Sequence, residues 1–347
     1  VNPVNEIKTI DADRPDDLFV ACTSFEDRCL GITYYGNTYS CDAAALIRFQ
    51  PKKPNSLQEK RKAANLDALN RYFNTHSTHH HLVLTERYNP HAMGLLGAKN
   101  IPSWNKPGGS VTIDISCFTR IQLLFVLRHF LSLPDTKVRL LYSVPTYYGS
   151  IENKDLTSDY DRVFVLPYSY GLYEQESLLQ ERALIMSLGH DGGRALYAWR
   201  FLDPKNTILI LPTSKVSPEL TTVALRQNRD LVQHLEMGDT SFQRYNVESF
   251  DIVHATKTFQ SIITNYGHKE GKALYFMPGG PKPIIVGLAL AARDAITPIH
   301  IAYPIPRTYS NAYSTGIDRV LEYRLHTSDS HNTTMEGVGL FGAICTA

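Results

Sequence analysis

The sequence predicts an α/β protein built from two tandem Rossmann-like parallel-sheet domains related by internal duplication. Three observations predict it: short apolar runs that do not alternate, helical stretches between them, and the same element order recurring at a nearly constant spacing. At 347 residues the chain suits two domains of ordinary size.

The run at 17–24 (DLFVACTS) ends at a polar loop, Phe25-Glu26-Asp27-Arg28, and the run at 183–189 (ALIMSLG) ends at His190-Asp191-Gly192-Gly193-Arg194. Uninterrupted apolar runs read as strands buried on both faces of a parallel sheet. A second strand follows in each half, at 43–49 and 207–211, and then a long helix. In the first half Ser56 and Glu59 form a capping box ahead of an apolar stripe of Leu66, Leu69 and Phe73. In the second, Ser217 caps, Pro218 takes the first helical position, and Leu220, Ala224, Leu231 and Leu235 make the stripe. The strand at 110–115 runs into Ser116-Cys117-Phe118-Thr119-Arg120 and an apolar helix at 121–131. Its counterpart at 273–277 runs into Pro278-Gly279-Gly280-Pro281-Lys282 and an apolar helix at 283–292. Each half closes on a strand ending in Tyr-x-x-Pro, at 142–145 and 303–306.

Arg28 and Arg194 lie 166 residues apart, Arg120 and Lys282 162, and Tyr142 and Tyr303 161. Two unrelated α/β domains would share the element order but not the offsets. The expected boundaries are a first domain over 1–150, a connecting segment over 151–182 and a second domain over 183–347.

Composition narrows the partners. Hydrophobic residues make up 43% and charged residues 20%, a globular mixture, and a formal net charge of +1 makes no global demand for nucleic acid or an acidic membrane. The five cysteines, Cys22, Cys29, Cys41, Cys117 and Cys345, are odd in number and form no C-x-x-C pair, which favours a reducing, cytoplasmic setting over a disulfide framework or a zinc site. No signal peptide and no bilayer-length apolar run is visible, so no membrane partner is expected. The chain begins at Val1, which reads as a trimmed polypeptide or one piece of a larger protein.

Open parallel sheets bind ligands outside the carboxyl ends of their strands, where the strand order reverses, commonly between the first and fourth strands. The loops there carry the densest polar residues: Ser24, Glu26, Asp27 and Arg28 with Asp114, Ser116 and Arg120, then His190, Asp191 and Arg194 with Lys282. Gly279 and Gly280 let backbone approach a ligand, the following helix start attracts an anion, and Lys282 adds a point charge where Arg120 offers a fork. Each feature has a plainer reading: a Gly-Gly tight bend, a Glu26–Arg28 salt bridge or helix cap, and the same for Asp191 and Arg194. His76, His79, His80 and His81 are expected in a solvated polar loop rather than on a metal, and Arg71 with His76 is not taken as a catalytic motif. Cys22 and Cys117 read as packing thiols, and Tyr147, Tyr148, Tyr309 and Tyr313 as base-stacking or rim residues. No metal or cofactor is expected.

Asp114-Ile115-Ser116-Cys117-Phe118-Thr119-Arg120 fits Asp/Asn-x-Ser/Thr-x-x-x-Arg/Lys after a fourth strand and resembles the signature of the CARF family, the CRISPR-associated Rossmann-fold sensors. Pro278–Lys282 is similar to that family's Thr-Gly-Gly-Thr-Lys turn, although Phe276 and Pro278 replace the family's residues there and Cys117-Phe118 replace Gly-Gly in the first half. The resemblance implies a sensor of cyclic oligonucleotides in prokaryotic antiviral defence, with two fused copies arranged as in the related SAVED sensors.

The leading expectation is a binding module. A nucleotide sits in an asymmetric cleft between the halves, contacted by Ser24, Glu26, Arg28, Ser116, Arg120, His190, Arg194, Gly279, Gly280 and Lys282. Binding then signals to an effector domain or partner protein, and a homo-oligomer is compatible with this. The rival is an enzyme in the same cleft, a ring-nuclease-type phosphodiesterase or an N-glycosidase, with Glu26, His190 and Asp191 as catalytic candidates. A third reading is a scaffold whose degenerate sites bind a protein.

Overall fold

The computed structural model describes residues 10, 14–50, 56–87, 101–148, 160–168, 181–215, 217–238, 241–307, 314–327 and 333–336, the last four as backbone. In the first unit β1 (Asp16–Cys22), β2 (Cys41–Phe49), β3 (Ser77–Thr85), β4 (Ser110–Asp114) and β5 (Lys137–Val144) form parallel pairs in the order β5-β4-β1-β2-β3. Leu18, Phe19 and Val20 of β1 are fully buried, as an unbroken apolar run at the centre of a two-sided sheet requires. The crossovers include α1 (Gly31–Tyr35), α2 (Leu57–His76) and α3 (Arg120–Ser132). The expected capping box starts α2: Ser56 Oγ accepts the Glu59 amide at 3.3 Å. The predicted stripe packs Leu66, Leu69 and Phe73 onto the sheet, Phe73 meeting Phe19 with ring centres 4.8 Å apart. Full burial of a phenylalanine contributes about 2–3 kcal/mol.

The second unit repeats this strand for strand. Beyond β6 (Tyr147–Tyr148) and β7 (Tyr160–Pro167) come β8 (Arg182–Ser187), β9 (Asn206–Thr213), β10 (Ser241–Glu248), β11 (Ala273–Met277) and β12 (Ile299–Pro306), in the order β10-β9-β8-β11-β12-β7. All pairs are parallel except β12 with β7. Starts at Asp16, Cys41, Ser77, Ser110 and Lys137 are matched by Arg182, Asn206, Ser241, Ala273 and Ile299, separations that shorten by one at each step from 166 to 162. Its helices are α4 (Gly192–Leu202), α5 (Pro218–Gln227), α6 (Arg229–Met237), α7 (Ile252–Ile262) and α8 (Lys282–Arg293).

Beside the fifth strand of each sheet lies an antiparallel strand supplied from the far end of a chain crossing. β7 follows the first half in sequence and pairs with β12 of the second. After β13 (Ser314–Thr315), β14 (Arg319–Thr327) follows the second half and pairs with β5 of the first, and β15 (Thr333–Glu336) extends that sheet. The compact units are therefore Val1–Tyr148 with Ala312–Ala347, and Gly149–Asn311. This differs from a second domain running over 183–347: the 151–182 segment supplies an edge strand, and the C-terminal strands return to the first sheet.

Three further expectations change. His79, His80 and His81 lie on β3, not in a loop. β3 is an edge of its parallel run, so its pattern is polar and lacks the apolar signature. The second long helix breaks at Asn228, whose buried amide donates to Gly189 O at 2.8 Å and Ala224 O at 2.7 Å. Ser217 makes no side-chain cap; its amide donates to Ser214 Oγ at 3.0 Å. No helix among the described residues is long and apolar enough to cross a membrane.

Candidate functional site

In both sheets the strand order reverses between the first and fourth strands, β1 and β4 in one, β8 and β11 in the other. In the first unit the loop after β1 is anchored by Asn65 on α2, whose Nδ2 donates to Ser24 O at 2.9 Å and Glu26 O at 3.4 Å. Ser24 is buried and its Oγ accepts the Glu26 amide at 3.2 Å. Arg28 is 3% exposed and turns inward, its Nη2 donating to Glu26 Oε2 at 2.6 Å and its Nε at 3.2 Å. Burial, the largest single influence, opposes its charge, but Glu26 together with Cys117, Tyr142 and Tyr148 outweighs it and holds the guanidinium pKa well above its ordinary value. Ser314 Oγ donates to the same Glu26 oxygen, and the Gly316 amide donates to Asp27 Oδ2 at 3.2 Å.

Asp114, at the end of β4, accepts the Ser116 amide at 2.9 Å, and fully buried Ser116 Oγ accepts the Ser143 amide of β5 at 2.8 Å. Cys117 meets Cys29 across the gap between the loops; that hydrogen bond first, then burial, pushes its thiol well above the usual range. Thr119 caps α3, accepting the Gln122 amide at 3.3 Å, and Arg120 is the first helical residue, half-buried. Further out, Lys62 is buried and pairs with Glu59, which lies 3.5 Å from Arg48.

In the second unit the two exit loops meet backbone to backbone. A Cβ on Gly279 would stand 1.9 Å from Ser187 O, and one on Gly189 2.8 Å from Gly280 N; Gly280 has φ +67°. Gly192 brings α4 against the end of α5, where a Cβ would stand 1.6 Å from Gln227 O. These glycines are required by packing. His190 Nε2 lies 3.3 Å from Leu220 O. Asp191 precedes α4 without capping it and accepts the Tyr160 hydroxyl. Arg194 is 6% exposed, with Nε 3.9 Å from Asp191 Oδ2 and its guanidinium 5.2 Å from the Tyr303 ring centre. Lys282 opens α8 behind Pro281, half-buried.

The predicted set thus divides. Glu26, Arg120, His190, Asp191, Gly280 and Lys282 are half-buried, while Ser24, Arg28, Ser116, Arg194 and Gly279 are buried. Asn65, Asn228, Tyr160 and Ser314 are absent from the sequence reading, and nothing in local spacing marks them. Tyr309, Tyr313 and Cys345 lie outside the described residues. Among the described residues Cys22, Cys29, Cys41 and Cys117 form no disulfide, and no group of three or more His, Cys, Asp or Glu able to hold a metal occurs.

Fold and site define a protein of two Rossmann-like α/β units, each with a polar switch point. No protein-family model matches the sequence, and no curated protein matches it. Among solved structures, a type III CRISPR defence DNA nuclease activated by cyclic oligoadenylate aligns over 82% of this chain, at 8% identity and TM-score 0.49; the chain spans 65% of that structure's length. The cytoplasmic domain of a prokaryotic cation chloride cotransporter aligns over 86% of this chain and 99% of its own, at 10% identity and TM-score 0.26. At such scores neither likeness bears on function.

Proposed function

We propose that the protein is a sensor that binds an anionic nucleotide second messenger, specifically a cyclic oligonucleotide, at its switch points. It passes that event to an effector domain or partner protein in prokaryotic antiviral defence. One observation carries the reading: the same place in both sheets offers a cation at the first turn of the helix after the fourth strand. Arg120 and Lys282 each follow an extended N-cap, Thr119 at φ −65°, ψ 150° and Pro281 at φ −64°, ψ 147°. A helix N-terminus with a basic side chain favours phosphate. The Asp114–Arg120 turn, with its resemblance to the CARF signature, supports the nucleotide class. Glu26 and Asp191 suit a fixed framework better than proton transfer, because each is engaged by an arginine and a hydroxyl.

Titration calorimetry against a panel of cyclic oligonucleotides tests this. Binding is expected, weakened about tenfold or more in Arg120→Gln and in Lys282→Gln, as loss of a charge-assisted hydrogen bond requires. No heat from any member at micromolar protein refutes the reading. Chromatography of the recovered ligand decides the enzymatic alternative: intact ligand supports the sensor, and products lost on His190→Ala or Glu26→Ala establish an enzyme.

A further inference from the structure

The chain entering at each antiparallel sixth strand does more than extend the sheet. In the first unit the chain arriving from β12 enters as β13, which pairs with β6, and Ser314 at its start is 5% exposed. Its hydroxyl donates to Glu26, the carboxylate that also holds buried Arg28. In the second unit the chain arriving from β6 enters as β7, and Tyr160 at its start is 9% exposed. Its hydroxyl donates to Asp191, the carboxylate beside buried Arg194, whose guanidinium lies 5.9 Å from the Tyr160 ring centre. Each arginine also interacts with a tyrosine at the matching position of the fifth strand. Tyr142 acts electrostatically on Arg28, and Tyr303 lies under Arg194. Each half thus carries the same four-part set: an acid and an arginine from the segment that follows the first strand, a tyrosine from the fifth, and a hydroxyl from the incoming strand. The incoming hydroxyls come from different residue types, a serine and a tyrosine, yet reach the same acid position. A chemistry that survives a change of residue type is more than an accident of packing.

We propose that Ser314 and Tyr160 are positioning residues that latch the site loop of the unit they enter. The conformation of each site loop is thereby tied to a strand whose covalent root lies in the other half. A ligand that displaces Glu26 from Ser314 releases β13 and loads the chain leading back to β12. A ligand that displaces Asp191 from Tyr160 loads the chain leading back to β5. The latch goes beyond the sensor reading and is tested without any ligand, so the two can fail separately.

Hydrogen exchange followed by mass spectrometry on the full chain reads it. Ser314→Ala is expected to speed exchange about tenfold in the loop at 23–30 and, across the crossing, in β12. Tyr160→Phe is expected to do so in the loop at 188–194 and in β5. Ser314→Thr, which keeps the hydroxyl, is expected to restore the parent pattern. Circular dichroism first confirms that each variant is folded; the removed groups are single hydroxyls, and Ser314→Cys provides a second variant of near-parent volume. Faster exchange confined to the unit that lost its hydroxyl, or no change in the loop itself, overturns the proposal.

Discussion

Gly279→Ala separates two reasons for a Gly-Gly turn at a binding site. If the glycine serves only to let a ligand approach, a methyl group there weakens binding and leaves the fold intact. The structure instead puts that methyl 1.9 Å from Ser187 O, a carbonyl at the end of β8, and contacts below 3.0 Å force something to move. The obstruction is backbone on both sides, so the shift falls on the exit loops of β8 and β11, not on a flexible side chain. Overpacking of this kind costs about 3 kcal/mol, which lowers the melting temperature of a unit this size by about 6–12 °C. Gly271→Ala is the control: φ is +64° but nothing lies within 4 Å, so only backbone strain of about 1 kcal/mol is incurred. Scanning calorimetry of the two variants measures both. A Gly279→Ala transition within about 2 °C of the parent, or a smaller loss than Gly271→Ala, refutes the packing account.

Two more outcomes follow from buried charge. Arg28→Met strands the Glu26 carboxylate and is expected to cost about 3 kcal/mol, part of which returns in the Arg28→Met, Glu26→Gln double variant; urea unfolding reads both, and equal losses in the two would contradict the pairing. Burial lowers the pKa of His300, and burial lowers that of His129 against a carbonyl from Trp104 that raises it, both from an ordinary 6.5. A depressed folded value means the unfolded chain binds protons first. Stability is therefore full above pH 6.5 and lost as pH falls through the lowered folded values, and His300→Gln should flatten that slope in pH-dependent denaturation.

What the sequence made legible follows from burial. β1, β8, β4 and β11 sit at the centre of their sheets with both faces covered, so their residues are apolar without alternation, and β11 matches its expected bounds at Ala273–Met277. β3 and β10 lie at the edges, where His79, His80 and Gln243 are tolerated, and such strands look like loops. The turn at Gly279 and Gly280 was visible, but its partner, the Ser187 carbonyl, is a backbone atom that leaves no mark in composition. Ser314 and Tyr160 were invisible for a related reason. A single hydroxyl meeting a carboxylate far away in the chain has no periodicity, and the strand exchange that brings it there follows from topology alone.

The two switch points share a frame but close the same gap by opposite means. Between the loops after β1 and β4 the space is filled by side chains: Cys29 against Cys117, buried Phe118, and Ser116 bonded to β5. Between the loops after β8 and β11 backbone fills it, because Gly189, Gly279 and Gly280 carry no side chain to intervene. The difference reaches the helix starts. α3 opens on Arg120 with its third amide already given to Thr119, and α8 opens between Pro281 and Pro283, neither of which has an N–H to donate. The first helix start therefore carries a planar fork and the second a point charge with fewer amides behind it. Under the proposed function the two switch points are unequal sites for a phosphate. Arg120→Gln, which removes a geometrically fixed contact, should then cost more affinity than Lys282→Gln, and equal losses would mean that charge alone, not the shape of either site, selects the ligand.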